Sequence, residues 1–283
     1  MNMSSRLVIA LGIAGCVITA GCDLSAGRMI GFGACISGML LQRMDYSGKF
    51  FPDMQPLNVF VVALIAMLVC AAFGTVTGFF IAYLNVPPFI ATLAMMEIVY
   101  GIGLIVTNAT PLGGYVEQYT NVSNGKFLGI NYLIWIAIIV AAITWFIFNM
   151  TRHGKYMYAI GGNPQAAEVA GVPVKATLIL IYMKAAAMYG LAGFMLGAKA
   201  GGASVQTGYG YEIEAIAACT IGGVSVTGGR GKVSSAIIGV AVFELLKVAL
   251  QYLGMNANAQ YIAIGVVIFV AISLDIRKYI ARK

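Results

Sequence analysis

The feature that most limits what this chain can become is a succession of long apolar runs separated by short polar turns. They lie at about 7–22, 26–42, 57–84, 88–107, 131–149, 176–198, 214–228, 233–253 and 260–276. A bilayer demands roughly 20 apolar residues per helix, because hydrocarbon leaves no partner for a backbone N–H or C=O outside the segment itself. The nine runs therefore predict an all-α polytopic membrane protein, with residues 1–283 as a single transmembrane domain. The runs at 7–22 and 214–228 fall short of a span and end in Gly-rich or polar turns, so each is expected to be tilted, broken or re-entrant. Only 10% of residues are charged, against about 25% in soluble domains, which excludes a soluble fold.

The 35 glycines are spread through the apolar runs, as close helix packing in lipid requires. Gly74 and Gly78, Gly27 and Gly31, and Gly197 and Gly201 stand in small-xxx-small spacing. Cys16, Cys22, Cys35, Cys70 and Cys219 form no CxxC pair and have no histidine cluster beside them, so neither a disulfide framework nor a metal site is indicated.

The net charge of +7 sits at the ends of runs. That is the signature of membrane topology, with cations collecting on the cytoplasmic side, and it does not call for a nucleic acid partner. If the connector at about 150–175 is cytoplasmic, alternation places Arg28, Arg152, Lys155, Lys175, Arg230, Lys232, Arg277, Lys278, Arg282 and Lys283 inside. It places Arg6, Arg43, Lys49, Lys126 and Lys199 outside, and ten against five supports the assignment. The same count leaves Met1 outside with an odd number of spans, so a first helix is expected to be missing from this chain. Arg6, the apolar run after it and Thr19-Ala20-Gly21-Cys22 also resemble a lipoprotein signal, but a lipoprotein continues into a soluble domain and here eight more apolar runs follow.

The connector itself, RHGKYMYAIGGNPQAAEVAGVPV from Arg152 to Val174, is the longest polar stretch with both a basic cluster and helix formers. A short amphipathic helix is predicted over Pro164 to Ala170, with Asn163 as N-cap, Pro164 at the first helical position and Gly171 as terminator. Such a helix lies on the membrane surface and offers its polar side to something else.

Little in the chain suggests catalysis. GGVSVTGGRGKV near residue 230 fails the phosphate-loop pattern, and the sole histidine, His153, belongs to the basic edge of the connector. Ala20 to Arg28 and Gly222 to Arg230 share a Gly-rich turn pattern that closes one run and opens the next, as broken helices near a transport path do. Ionisable groups inside spans are functional candidates by default. Glu97 lies mid-span, either functional or hydrogen-bonded between helices. Lys184 can snorkel to the inner face. Glu244 and Lys247, three apart on one helix, can neutralise each other. Asp23 or Ser25 can cap a new helix. The outer loops are expected to carry Asp45, Asp53, Glu117, Glu212 and Glu214, interleaved with Tyr115, Tyr119, Tyr209 and Tyr211 as an aromatic belt.

YAIGGNPQAAEVAGVPV (158–174), GCDLSAGR (21–28), AYLNVPPFIATLAM (82–95) and YEIEAIAACTIGGVSVTGGRGKV (211–233), in this order and spacing, resemble the permease subunits of bacterial ABC importers for monosaccharides, the ribose and galactose group. The resemblance implies a ten-helix bundle in the inner membrane, surrounded by lipid and paired with a second permease copy, as a homodimer. It implies a cytoplasmic ATP-binding subunit and a periplasmic sugar-binding protein as partners. ATP would be bound by the partner, leaving this chain without a cofactor and without catalytic residues. The connector would be the segment docking on the ATPase, carried by Gly161, Gly162, Asn163, Pro164, Ala166, Ala167 and Gly171. The chain departs from the family at its beginning, where members carry about fifty more residues, and it holds charges at Glu97 and Lys184 where uncharged residues are expected.

The mechanism this implies is alternating access, in which ATP-driven closure of the partner moves the connector and opens a central path. Asp23, Ser25, Asn108 and Thr110 are candidates to line that path, with Glu97 as the intramembrane carboxylate. The alternatives are an ion-coupled secondary transporter using Glu97 or Asp23, and a small-solute channel.

Overall fold

The computed structural model describes residues 2–280. Met1, Arg282 and Lys283, used in the charge count, lie outside the described residues, as does the side chain of Lys278. The helices in chain order are α1 (Asn2–Ile18), α2 (Ala26–Leu40), α3 (Val59–Tyr83), α4 (Pro88–Thr107), α5 (Glu117–Asn124), α6 (Tyr132–Met150), α7 (Arg152–Gly162), α8 (Pro164–Val169), α9 (Val174–Ala200), α10 (Tyr211–Ile221), α11 (Val233–Tyr252) and α12 (Ala257–Ile280). A two-residue hairpin, β1 (Lys126–Phe127) and β2 (Ile130–Asn131), joins α5 to α6 with Lys126 opposite Asn131.

Each of the nine apolar runs becomes a helix, and among the described residues five of these, α3, α4, α6, α9 and α11, are long and apolar enough to cross a bilayer. Helix α10 has 11 residues, about 16 Å at 1.5 Å per residue, roughly half of a hydrocarbon core. The run at 214–228 is thus broken at Ile221 and continues as irregular chain to Lys232. The run at 7–22 likewise stops at Ile18, and 21–25 turns back before α2 begins.

Local chemistry sets the helix ends. Asn58 accepts from Phe60 N (2.9 Å) to start α3 and Asn131 accepts from Leu133 N (2.9 Å) to start α6. Pro88 opens α4, which closes on Asn108 in the left-handed region. Helix α1 is the centre of the molecule, with Val8, Ile9, Ala10, Ile13, Ala14, Cys16 and Ile18 wholly enclosed. Helix α9 runs beside it and packs on α2 and α3. The contact with α3 is backbone on backbone, since a Cβ at Gly74 would strike the Tyr182 carbonyl and one at Gly78 the Cα of Ile179. By contrast, α3, α4, α6 and α11 turn large apolar side chains outward, Phe60, Leu68, Ile105 and Phe146 among them. A bilayer covers such a surface.

Two sequence expectations about charge are corrected. Glu244 and Lys247 do not neutralise each other. Glu244 pairs with Arg6 of α1, and Lys247 donates to Glu214 Oε1 of α10 at 2.5 Å, with Arg6 3.6 Å from Glu214 Oε2. Three helices are thereby tied by two cations and two carboxylates, all mostly enclosed. The segment carrying Tyr209, Tyr211, Glu212 and Glu214 is not an outer loop either. Residues 203–210 fold back along α2, from Ala203 bridged to Leu112 down to Gly208 against Gly27, so that Glu212 is buried.

Candidate functional site

Two places in the bundle carry polar chemistry that packing alone does not explain. One is the end of the bundle that carries the connector. The connector is more structured than the sequence indicates, since residues 152–162 form α7, capped by Thr151 accepting from Gly154 N at 3.2 Å. Helix α8 follows as expected: Asn163 accepts from Ala166 N at 3.0 Å and Pro164 stands at the first position. Gly171 takes φ +82°, a conformation that favours glycine.

Gly161 sits where there is no room for a side chain, because a Cβ would collide with the Ile18 carbonyl and the Gly229 amide. The Gly229 N–H donates to Ile18 O at 2.8 Å, Tyr158 Oη donates to Gly231 O at 2.8 Å, and Gly228 lies against Ala20 and Gly161. The two Gly-rich turns therefore meet, and α7 is wedged between them. Gly162 has open space beside it, and of α8 only Ala167 is buried, with Ala166 exposed and Val169 91% exposed. His153 faces a small cavity shared with Lys184, Gly12 and Phe148. Burial, and then the Lys184 ammonium, push its pKa down to about 4. Sharing that cavity with His153, the Lys184 side chain lies at the connector end of the bundle.

The second place lies between α2, α4 and the segment that leads into α10. Gly33 packs on Gly190, and Gly193 on Ile30 and Ala34, which sets the middle of α2 beside the second half of α9. Arg28 is therefore not at the cytoplasmic edge, where its charge alone would assign it. Its guanidinium lies 4.0 Å from the ring centroid of Tyr100 and 4.6 Å from that of Tyr209, and donates to Gln206 Oε1 at 2.7 Å. Gln206 Nε2 in turn donates to Tyr100 Oη at 3.0 Å. Tyr209 and Gln206 are exposed, while Arg28 and Tyr100 are half-buried.

Of the residues singled out from the sequence, Glu97 stands exposed on α4 three residues before Tyr100, without a recorded hydrogen bond or ion pair among the described residues. A carboxylate bonded between helices of this chain is thus not what the structure shows. Asp23 and Ser25 are enclosed behind the cluster, Asp23 accepting from Ser25 N at 3.0 Å and from Ser25 Oγ at 2.6 Å as a turn at the entry to α2. Asn108 and Thr110 are exposed at the far end of α4, where Thr110 Oγ1 donates to Thr107 O at 2.7 Å. Arg28, Tyr100, Gln206 and Tyr209 were missed, because nothing in their spacing brings them together; the one signal was an arginine beside a Gly-rich turn within an apolar run.

Residues 2–272 match the family described as the permease component of the branched-chain amino acid transport system. This chain belongs to that permease family. It is similar to the galactose/methyl galactoside import permease protein of Escherichia coli, with 42% identity covering 99% of this chain and 85% of the relative. The protein of the same name from Treponema pallidum is 37% identical, covering 99% of this chain and 56% of the relative. The ribose import permease protein of Escherichia coli is 32% identical, covering 97% and 83%. No solved structure matches. The permease is a transport subunit and not an enzyme, and it is a multi-pass protein of the inner membrane.

Proposed function

We propose that this permease is the membrane subunit of an ATP-driven importer that carries a monosaccharide, galactose or a methyl galactoside or a sugar like them. The resemblance of nearly the whole chain to a galactose import permease supports the substrate class. The observation that carries the mechanism is the joint at the connector end. An exposed helix, α8, follows directly on α7, which is wedged through Gly161 against the ends of two broken segments. A force on α8 is transmitted to those segments, because close-packed backbone cannot absorb it. The partner fitting that role is a cytoplasmic ATP-binding subunit docked on α8, through Ala166 and Val169 with Gln165 and Glu168 around them.

A second copy of this chain would complete the path. Polar side chains on an exposed face are costly against lipid, and the face of Arg28, Tyr100, Gln206 and Tyr209, with Glu97 beside it, becomes compatible with a membrane when it borders water between two copies. A periplasmic binding protein would deliver sugar to that path.

Vesicles reconstituted with the permease, its ATPase and its binding protein test this. Galactose uptake should require ATP on the ATPase side and persist in an uncoupler. Uptake abolished by the uncoupler with ATP present would support ion coupling through Glu97 or Asp23, and uptake with neither ATP nor binding protein would mark a channel.

A further inference from the structure

The charges that tie α1, α10 and α11 together have an open cavity on one side of them. It measures about 210 Å³ and is lined by Arg6, Glu244, Lys247, Gln251, Gln260 and Tyr261. Arg6 stands twelve residues before Ile18, about 18 Å along α1, and Lys199 in the last turn of α9 is within electrostatic reach of it. The cavity is thus at the end of the bundle opposite the connector, from which α9 sets out. Lys247 and Gln251 lie in the last two turns of α11, Gln260 and Tyr261 in the first two turns of α12, and residues 253–254 between them are exposed. A cavity so near the helix ends lies where water meets the bundle.

The charges in its wall are committed to one another, Arg6 to Glu244 and Glu214, and Lys247 to Glu214 Oε1 at 2.5 Å. The neutral polar groups are not. Gln260 Nε2 donates to Met255 O at 2.9 Å, which leaves its Oε1, both polar atoms of the Gln251 amide and Tyr261 Oη without a protein partner among the described residues. The Lys247 ammonium has two further N–H groups to give. Donors, acceptors and a hydroxyl therefore face one space, beside a Tyr261 ring that is 72% exposed.

That lining selects among ligands. A phosphate needs a cation free to receive it, and both cations here already hold carboxylates. A metal ion or an amine meets carboxylates that are equally engaged. Hydrocarbon would leave the amides unpaired. A monosaccharide has the complementary chemistry, because each hydroxyl both donates and accepts, while the C–H face of the ring packs flat on an aromatic side chain. The volume, below the roughly 300–1,000 Å³ of sites for drug-sized ligands, admits a single ring. We propose that this cavity is an entry site for one neutral monosaccharide, in which Lys247, Gln251 and Gln260 bind hydroxyls and Tyr261 covers the apolar face. This rests on the reading of the permease as a sugar importer and specifies where sugar released by a binding protein is first held.

The test uses the purified permease–ATPase complex with Cys22→Ser and a reporter thiol at Val248→Cys, since Val248 lines the cavity and is 40% exposed. Labelling by a charged thiol reagent should slow as D-galactose is added and should not respond to inorganic phosphate. Gln251→Ala and Tyr261→Ala, both at exposed positions that tolerate truncation, should each raise the galactose concentration that halves the rate by up to about tenfold, the scale of one hydrogen bond or aromatic contact. Protection that neither substitution weakens would place the sugar elsewhere and overturn the site. A labelling rate indifferent to galactose, in a complex whose reporter-free form still imports galactose with ATP, overturns it too and leaves the import reading standing. A Val248→Cys thiol that does not react means a cavity closed to water, and the site falls. Protection by phosphate and not by galactose overturns the ligand class. If no ATP-driven sugar uptake is found at all, the import reading itself fails.

Discussion

The connector joint and the body of the bundle are built by opposite means. At the joint, the contacts are backbone and caps: Thr151 and Asn163 start two helices, Gly171 stops one, and Gly161 lets α7 touch the Ile18 carbonyl. In the body, side chains from distant segments meet, Arg6 with Glu214, Glu244 and Lys247, and Arg28 with Tyr100, Gln206 and Tyr209. The first arrangement is stiff, because backbone contacts have no rotamers to yield. The second pairs charge with charge, carbonyl or aromatic ring, and its members are valuable only together.

The largest effect that could break this contrast lies in the body. Arg6→Ala leaves the Glu244 carboxylate enclosed and unpaired, and is expected to cost about 3–5 kcal/mol, read as a fall in thermal unfolding temperature in detergent. A loss under about 1 kcal/mol, the range of surface pairs, would mean that these charges are hydrated and the contrast is false. Next comes the joint. Gly161→Ala forces a methyl group into backbone, costing about 1–3 kcal/mol and lowering uptake. Gly162→Ala, one residue on and in open space, should stay within about 0.5 kcal/mol of the parent. Equal effects at the two positions would remove the wedge.

Smaller still are the helix ends. Asn163→Ala should cost about 1 kcal/mol through loss of the cap, and Gly171→Ala a similar roughly 1–2 kcal/mol through its positive φ, both visible as faster proteolysis of the connector. An effect confined to acid pH is expected at His153, whose pKa falls from 6.5 to about 4. The unfolded chain takes up a proton at this histidine as pH drops below 6.5 and the folded chain does not until about 4. Stability is therefore full above 6.5 and declines across that window. His153→Gln should flatten the pH dependence of unfolding between these values, and an unchanged slope would contradict the burial of the ring.

The sequence conveyed the joint well and the body poorly, for a physical reason. Caps, Pro164 and Gly171 act within four residues, so their meaning is contained in the local string. All nine apolar runs were legible on the same ground, as was the break in the one ending at Ile221. Helix α7 was not, because Gly154, Gly161 and Gly162 disfavour a helix and its packing on α1, α6, α9 and the 228–231 turn holds it. Arg28 was misplaced because a cation beside a polar turn reads as an interface residue, whereas the turn at 21–25 doubles back into the bundle before α2 starts. Glu244 and Lys247 were paired with each other because the i,i+3 rule knows only one helix, and each found a better partner on another.

The central claim is that a motor docks on α8 and drives the bundle through it. Val169→Asp tests it most directly, since this side chain is 91% exposed on the last position of α8 and contributes nothing to the core. In reconstituted vesicles, ATP-driven galactose uptake should fall about tenfold, equivalent to roughly 1.4 kcal/mol of lost docking energy, with copurification of the ATPase reduced and the unfolding temperature of the permease unchanged. Full uptake with the ATPase still bound to the Val169→Asp permease would contradict it.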